Sequence, residues 1–442
     1  MRTLVKLAGF GWEALAAIGR VWSRVWFETR PTSPLELTRM GVGAVLLVEY
    51  GLATPYLFDF WGDDGWMPRA LAMQDISPWT QSVFFYFTAP WQWVAFHALF
   101  LFCCAALMVG WRTSWVKWIV LIGQISYQHR DLNLTYGVDH ILACLLLILC
   151  VAPVGRAMSL DRVRAVRAVK RLNLENTLPP YASPWAGACI RLMQIQMALL
   201  FFYSGVAKVG STWWDGDAIW YLFSTTEYYQ PRLLDLFARH YWLVNLASYA
   251  TVVSEIAFPF LIWQRRTRPW MLAGAIFLHL LIGVFMHLYY FSSVMIMGHM
   301  SFVRREWLAR LREAWKRKMG AMEMIYDGRC GFCVRSMASF LAFDGLGQIS
   351  IRDFRTNPSP VVSDAELEKA LYLVLPDGRA LPGFEAYRYV VLRVPGLWWQ
   401  VPFFYVPVLS RFVGHRVYGW VAANRSRLSS LRLGALRTAD RT

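Results

Sequence analysis

Long apolar runs alternate with short polar segments between residues 33 and 303. Because a helix of about 20 apolar residues crosses the hydrocarbon core of a bilayer, this pattern predicts about eight transmembrane spans. The third and eighth runs are short and contain polar residues, so we expect these two spans to be tilted, broken or re-entrant. The predicted spans cover residues 36–55, 91–110, 115–130, 137–154, 188–208, 242–263, 270–287 and 288–303.

The pattern changes near residue 320. Residues 322–326 form a short apolar segment that runs into a turn, and residues 334–343 have the composition of a helix. A second strand-like segment covers residues 347–354, and the dipeptide Asp377-Gly378 predicts a turn between two further strands. The C-terminal part is therefore predicted to be a compact α/β domain of about 120 residues, which is a usual domain size.

These patterns divide the chain into four parts. Residues 1–32 mix basic and apolar positions at helical spacing, which predicts an amphipathic helix that lies on the membrane surface. Residues 33–303 are the membrane domain, residues 304–320 a basic linker helix, and residues 321–442 the α/β domain. The predicted fold class is a polytopic α-helical membrane protein with a C-terminal α/β domain.

Composition and charge agree with membrane insertion. The chain is 57% hydrophobic and 17% charged, which is too little polar surface for a soluble protein of 442 residues. Its net charge of +16 does not indicate nucleic-acid binding, because the basic residues cluster beside apolar runs. With eight spans, every basic segment falls on the cytoplasmic side of an inner or plasma membrane. The N-terminus and the α/β domain are then cytoplasmic, and Lys208 lies at the outer face.

Two of the seven cysteines have a spacing that predicts chemistry. Cys330 and Cys333 flank two residues between a predicted strand and a predicted helix. The first thiol is near a helix N-terminus, where partial positive charge favours the thiolate, and the second can resolve a mixed disulfide. The alternative is half of a zinc site. No second cysteine pair follows, which favours redox chemistry and no metal.

The segments YDGRCGFC, LVLPDGRALPGFEAYRYVV and VYGWVAANR, within residues 322–430, resemble the DCC family of thiol-disulfide oxidoreductases. The resemblance is specific at the Asp-Gly-x-Cys-x-x-Cys element, which begins with Asp327 and Gly328. It implies a thioredoxin-like fold, with Cys330 as the attacking thiol and Cys333 as the resolving thiol. No proline stands just before the strand at residues 371–375, where thioredoxins carry a cis-proline.

Ionisable residues inside a bilayer are costly, so each one in the membrane domain is a candidate for function. The alternative is that they pair inside the helix bundle and only specify packing, which is the commoner role for a single histidine. The candidates are Glu49, His97, Asp139, His140, Arg191, Glu255, His279, His287 and His299.

Lys208 ends the fifth apolar run in the segment FFYSGVAKVGSTWWDG, shortly before Trp213. Loss of hydration in apolar surroundings favours a neutral amine, which can act as a general base or as a nucleophile. The alternative is a lysine that extends to the interface as an anchor. The outer side is the less usual place for an anchoring cation, but the residues alone leave both interpretations open.

The segments PLELTRMGVGAVLLVEYGL, HRDLNLTYGVDHILACLLLILCVAP and YSGVAKVGSTWWDG, with others in residues 33–303, are similar to the HTTM domain. This domain defines the superfamily of vitamin K-dependent gamma-carboxylases. The resemblance implies that Lys208 is an active-site base that deprotonates a hydroquinone, which makes a quinone or hydroquinone the candidate cofactor. The carboxylases carry a histidine where this chain has Asn133, Leu134 and Thr135. The candidate to replace that histidine is His140, which lies two helical turns further along the chain. This departure argues against glutamate gamma-carboxylation.

Two hypotheses of function follow. In the first, the protein is an integral membrane oxidoreductase whose cytoplasmic thiols supply electrons to chemistry at Lys208 on a quinone or on a lipid-embedded or peptide substrate. A membrane quinone and a thiol partner protein would then act with it. In the second, it is a non-catalytic membrane accessory of peptide maturation or export with a fused redox module. A transporter is disfavoured, because the sequence has no detectable internal repeat.

Overall fold

The fold is that of a computed structural model, which describes residues 16–74, 77, 79–167, 181–210 and 212–424, without the side chains of Arg305, Met319, Val413 and His415. Internal contacts divide the chain into two units. The membrane unit contains residues up to Met108, Arg112–Val154 and Ala182–Val303, and the thiol unit contains Val109–Trp111, Gly155–Tyr181 and the chain from Arg304. Residues 1–15 of the predicted surface helix and residues 425–442 of the predicted α/β domain lie outside the described residues.

Helices occupy all eight segments that the apolar pattern marks as spans. Five of these helices are long and apolar enough to cross a bilayer, namely those that begin at Ser33, Pro90, Pro184, Trp242 and Arg268. Three are shorter or more polar, so the count of eight spans stays a prediction. The eight helices are α2 (Ser33–Ala53), α5 (Pro90–Val109), α6 (Thr113–Arg130), α7 (Gly137–Val151), α9 (Pro184–Ala207), α12 (Trp242–Leu261), α13 (Arg268–Met286) and α14 (Tyr289–His299).

Short elements connect these helices. The described part of the N-terminal segment is helical over residues 16–26 (α1), and its exposed apolar side chains lie on one helical face. These side chains are Ile18, Val21, Trp22 and Val25. The other connecting elements of the membrane unit are β1 (Arg30–Pro31), α3 (Leu57–Trp61), α4 (Arg69–Ala72), β2 (Ala182–Ser183), α10 (Ala218–Ser224) and α11 (Pro231–Arg239). Strands β1 and β2 pair in antiparallel orientation.

Helices α9 and α12 pack closely along their apolar faces. The rings of Phe201 and Phe258 stack with centroids 4.1 Å apart. One turn further along α9, a Cβ atom at Gly205 would lie 2.8 Å from Cγ1 and 3.0 Å from the backbone nitrogen of Ile256. Only a residue without a side chain allows this approach, which is a common feature of helix contacts in membranes. The end of α9 is thereby held against the interior of α12.

The thiol unit is built on a four-stranded mixed sheet. Strands β3 (Met322–Tyr326) and β4 (Ile349–Asp353) are parallel and are joined by α16 (Gly331–Phe343), which makes a βαβ unit. Strands β5 (Tyr372–Val374) and β6 (Ala380–Pro382) continue the sheet in antiparallel orientation, in the order β4-β3-β5-β6. The remaining helices are α15 (Arg305–Met319), α17 (Asp364–Leu367), α18 (Gly383–Arg393), α19 (Val401–Tyr405), α20 (Pro407–Arg411) and α21 (Gly419–Ala423).

Alternation along β3 separates the two faces of this sheet. Met322 and Met324 point to the face that α16 and α18 cover, where Met337 and Val390 belong to the same buried cluster. Ile325 points to the other face and packs with a smaller cluster that includes residues 354 to 367. This period of two is the pattern of a strand that is buried on both faces. The sheet therefore holds the carboxyl end of β3, which carries the cysteine motif, in a fixed position.

One connection of the membrane unit contributes to the thiol unit. Helix α8 (Leu160–Arg167), in the segment between α7 and α9, packs against α16. Val163 on α8 is 4% exposed and belongs to the core that contains Met337. The guanidinium of Arg164 lies 5.8 Å from the ring centroid of Trp111. The sequence pattern gives no sign of this packing, because residues 156–171 stand out only as a basic segment between two predicted spans.

Candidate functional site

Cys330 and Cys333 lie at the start of α16, directly beyond the carboxyl end of β3. Cys330 is the N-cap residue, and its Sγ accepts a hydrogen bond of 3.3 Å from the backbone N–H of Cys333. Both residues are partly exposed thiols. The donated N–H group and the positive end of the helix dipole both stabilise negative charge on the Cys330 sulfur. The geometry therefore suits Cys330 as a nucleophile with a second thiol one helical turn away.

Asp327 fixes the turn that precedes Cys330. Its backbone carbonyl accepts the N–H of Cys330, and its carboxylate accepts the N–H of Arg329 at 2.9 Å. The same carboxylate forms an ion pair of 3.2 Å with Arg355, which follows β4. Hydrogen bonds to Asp327 and Glu368 raise the pKa of Arg355 above its already high usual value. The guanidinium thus stays charged at every relevant pH, and it connects the cysteine turn to the neighbouring strand.

Gly328 approaches Asp353 more closely than any other residue type could. Its N–H donates a hydrogen bond of 2.9 Å to Oδ1 of Asp353. A Cβ atom at this position would lie 2.0 Å from Oδ2 and 2.5 Å from Cγ of the same carboxylate. Both residues of the Asp-Gly pair therefore stabilise the turn. Asp327 binds Arg355, and Gly328 binds Asp353.

Replacing Gly328 by alanine is expected to displace the Asp353 carboxylate and loosen the cysteine turn. A hydrogen bond to a charged group contributes about 1.5–3 kcal/mol, so we expect a loss of about 2 kcal/mol in local stability. Hydrogen–deuterium exchange of peptides from β3 and β4 in the full chain measures this loss. Gly419→Ala is the matched control, because a Cβ there meets nothing within 4 Å. Equal exchange in the two variants would show that this contact does not hold the turn.

An apolar pocket of about 240 Å³ adjoins Cys333. Tyr387 lines it, and burial raises the pKa of its phenol, with smaller contributions from Tyr418 and the two thiols. The phenol therefore stays a neutral hydrogen-bond donor. Among the described residues that line the pocket, Lys369 alone has a charged side chain. It lies in the loop just before β5, where the sequence lacks the thioredoxin proline. The other aromatic lining residues are Phe332, Phe384, Phe404 and Tyr418.

In the membrane unit, the Lys208 amine has polar partners. Nζ lies 2.7 Å from Oε2 of Glu255 and 2.6 Å from Oγ of Ser204, and the ring centroid of Trp213 lies 5.2 Å away. The side chains of Lys208 and Glu255 are 18% and 11% exposed. The surroundings of this amine are therefore not purely apolar. The structure brings together three residues that the sequence marks separately, Lys208, Trp213 and Glu255.

The position of this ion pair along the axis of α12 follows from the residue numbers. Glu255 lies 13 residues after Trp242, the first residue of the helix (255 − 242 = 13), which is about 20 Å along the axis. Lys208 is the C-cap residue of α9, yet it contacts α12 at about two-thirds of its length. The sequence places Lys208 at the outer end of a span. The structure places its amine beside the interior of an apolar helix that is long enough to cross a bilayer, and the side of the membrane stays a prediction.

Two other predicted residues lie at the start of α7. The Asp139 carboxylate accepts hydrogen bonds from the Tyr290 hydroxyl at 2.9 Å and from the Tyr136 backbone N–H at 2.9 Å. The second bond satisfies a backbone N–H at the N-terminus of α7, so Asp139 has a structural role in starting the helix. His140 is exposed, and its Nδ1 lies 3.2 Å from the Tyr136 carbonyl.

Three other predicted histidines form a buried pair and an exposed single residue. His279 on α13 is 3% exposed, and its ring centroid is 5.5 Å from that of the fully buried His299 on α14. Phe201 packs against both rings, so this pair lies on the apolar contact between helices. His287 lies in the turn between α13 and α14 and is exposed, with its Nδ1 3.1 Å from the Tyr289 hydroxyl. Among the described residues, no group of three or more His, Cys, Asp and Glu is suited to hold a metal ion.

Comparison with protein families matches residues 30–307 to the HTTM domain. The chain therefore belongs to the HTTM domain family. Residues 324–431 match the DCC1-like thiol-disulfide oxidoreductase family. The protein is thus an HTTM membrane protein with a redox module at its C-terminal side. No curated protein and no solved structure is significantly similar to the chain.

Sequence reasoning missed several partners in both parts of this HTTM protein. Ser204 precedes Lys208 by four residues, and this spacing on a helix could have identified it. Tyr290 and Arg355 reach their partners from distant parts of the chain, so no local signal points to them. The pocket beside Cys333 also combines residues from five separate segments.

Proposed function

We propose that this HTTM protein is a thiol-disulfide oxidoreductase in which Cys330 attacks and Cys333 resolves. The observation that carries the proposal is the N-cap position of Cys330, whose sulfur accepts the Cys333 N–H. The β3-α16-β4 unit, with the cysteine pair at the start of its connecting helix, supports a thioredoxin-like fold. The partly exposed thiols and the adjoining pocket leave room for a substrate.

The reaction begins when the Cys330 thiolate attacks one sulfur of a substrate disulfide. The substrate S–S bond breaks, a mixed disulfide forms, and the other substrate sulfur leaves as a thiolate. Cys333 then loses its proton and attacks the Cys330 sulfur, which releases the second substrate thiol and leaves a Cys330–Cys333 disulfide. The substrate has gained two electrons that the domain has lost, and the protons released by the two cysteine thiols match those taken up by the two substrate thiolates. A reducing cytoplasm would favour this direction.

The test is a redox titration of the full chain in nanodiscs, with glutathione buffers and alkylation of the remaining thiols. Peptide mass spectrometry then follows each cysteine separately. We expect Cys330 and Cys333 to lose alkylation together in a single two-electron transition, through a disulfide between them. Cys144, which is exposed in the membrane unit, is the internal control. Permanent glutathione adducts at Cys330 without a Cys330–Cys333 disulfide would contradict the proposal.

The contact between α8 and α16 supports a common side of the membrane for two distant segments. The connection after α7 and the chain after Val303 then lie on the same side, so an even number of crossings separates them. If α14 crosses the membrane with α9, α12 and α13, the number of crossings is four, which is even. Without α14 it is three, which is odd. We therefore favour α14 as a short or tilted crossing. The basic residues in both segments favour the cytoplasmic side.

We propose a second site of chemistry at the ion pair of Lys208 and Glu255. An amine, a carboxylate and a hydroxyl meet within hydrogen-bond distance beside an apolar helix, an arrangement that can exchange a proton with a bound lipid-soluble molecule. A membrane quinone that accepts two electrons and two protons from the thiol pair is our candidate carrier between the two sites. The competing proposal is a non-catalytic accessory, in which the ion pair only holds α9 to α12.

A further inference from the structure

The C-terminal helices of the thiol unit expose many large apolar side chains. From residue 398 to residue 420, eight such residues are exposed, with Val408 at 77% and Trp420 at 59%. In the rest of the described thiol unit, the exposed large apolar residues are only Tyr181, Leu311, Val361 and Leu392. We name the eight residues the apolar face. They are Trp398, Phe403, Val406, Val408, Leu409, Phe412, Val417 and Trp420.

The segment of residues 395–424, which contains the apolar face, carries positive and no negative side chains. Residues 395–424 contain no aspartate or glutamate, and both Arg411 and Arg416 are exposed. The segment consists of short helices that begin near Pro402 and Pro407. Aromatic and aliphatic side chains interleaved with arginine are typical of elements that lie in the headgroup region of a bilayer, where phospholipids supply apolar chains and negative charge.

We propose that the apolar face docks on the surface of the bilayer that holds the membrane unit. The thiol unit follows the last membrane helix directly, because the membrane unit ends at Val303 and α15 begins at Arg305. The tether keeps this bilayer at a high effective concentration, so a modest affinity is enough for docking. The two arginines match anionic headgroups, and the apolar face matches the acyl boundary.

Docking would also define where the thiol unit meets its substrates. Phe404, Val417, Tyr418 and Val421 line the pocket beside Cys333, and they come from the same segment as the apolar face. The pocket therefore opens close to the docked surface. This step rests on the function proposed above. The arrangement favours disulfides of membrane-bound polypeptides, which are held at the membrane surface, over disulfides of freely diffusing proteins.

Photo-crosslinking of the full chain tests the docking. Benzoylphenylalanine replaces Trp420 in one variant and Val361, 50% exposed outside the apolar face, in the control. Both are placed in nanodiscs of phosphatidylcholine and phosphatidylglycerol in a two-to-one ratio. We expect at least roughly fivefold more lipid adduct at position 420. Arg411→Gln and Arg416→Gln should each lower that yield by roughly fivefold, since each arginine loses its attraction to anionic lipid.

Equal lipid labelling at the two positions would overturn the proposal. Adducts at position 420 with the membrane unit or with a second copy of the chain would overturn it too, because another surface would then cover the apolar face. A yield that does not respond to either arginine variant would also contradict it. The readout involves no thiol chemistry, so its failure leaves the proposed oxidoreductase function untouched, and failure of the redox titration leaves the docking result untouched.

Discussion

Cys333→Ser is expected to trap the substrates of the thiol unit as mixed disulfides. Cys330 can still attack, but no thiol remains one turn away to displace the substrate from its sulfur. Resolution then depends on thiols from solution and should slow by roughly 10³-fold or more, because a well-placed intramolecular nucleophile acts at a far higher effective concentration. The measurement isolates the full chain from cells whose thiols have been blocked, and compares gels run with and without reductant.

The matched variant Cys330→Ser should form no such adducts, since it lacks the attacking sulfur. Cys144→Ser is the control for a general effect of losing a thiol, because Cys144 is exposed but lies on α7, in the other unit. We expect this variant to behave as the wild type. Adducts in Cys330→Ser and none in Cys333→Ser would assign attack to Cys333, and adducts in neither would remove the proposed mechanism.

The positions of the helices could be predicted because the apolar pattern is local. The fifth predicted span, residues 188–208, corresponds to α9 at Pro184–Ala207, and the sixth, residues 242–263, to α12 at Trp242–Leu261. Burial in lipid or protein requires continuous apolar length, which a sequence displays directly. The cysteine motif could also be predicted from the sequence, because a strand, a turn and the start of a helix follow each other within one short segment.

The contacts between distant segments could not be predicted in the same way. Lys208 and Glu255 are 47 residues apart, and they meet because Gly205 lets α9 approach α12. The sequence identifies both residues as costly in a membrane, but it contains no information on which helices are neighbours. The packing of α8 on α16 is a second example, since the two helices belong to parts of the chain that the apolar pattern separates completely.

Lys208→Gln and Glu255→Gln are each expected to destabilise the membrane unit by about 3–5 kcal/mol. Each change leaves the opposite charge without its partner at a site where the side chains are only 18% and 11% exposed. Thermal unfolding of the full chain in nanodiscs measures the loss. Ser204→Ala is the control, because it removes one hydrogen bond to the amine and leaves the ion pair intact, so it should cost about 1 kcal/mol.

The double variant with glutamine at both positions should recover most of this stability. Two neutral amides can form a hydrogen bond across the same gap, and no charge remains buried without a partner. The difference between the double variant and the sum of the single variants gives the coupling energy. Additive losses would show that the contact of 2.7 Å does not contribute to the stability of the membrane unit.

The stable double variant separates chemistry from packing at this site. A protein that only needs α9 held to α12 regains its cellular function when stability returns, since both helices keep their contact through Phe201 and Phe258. A protein that moves a proton at the Lys208 amine stays inactive, because a carboxamide offers neither a basic nitrogen nor a charge. Restored function with glutamine at both positions would therefore show that the ion pair is only a structural contact. Loss of function at normal protein level and stability would show that the amine takes part in the chemistry.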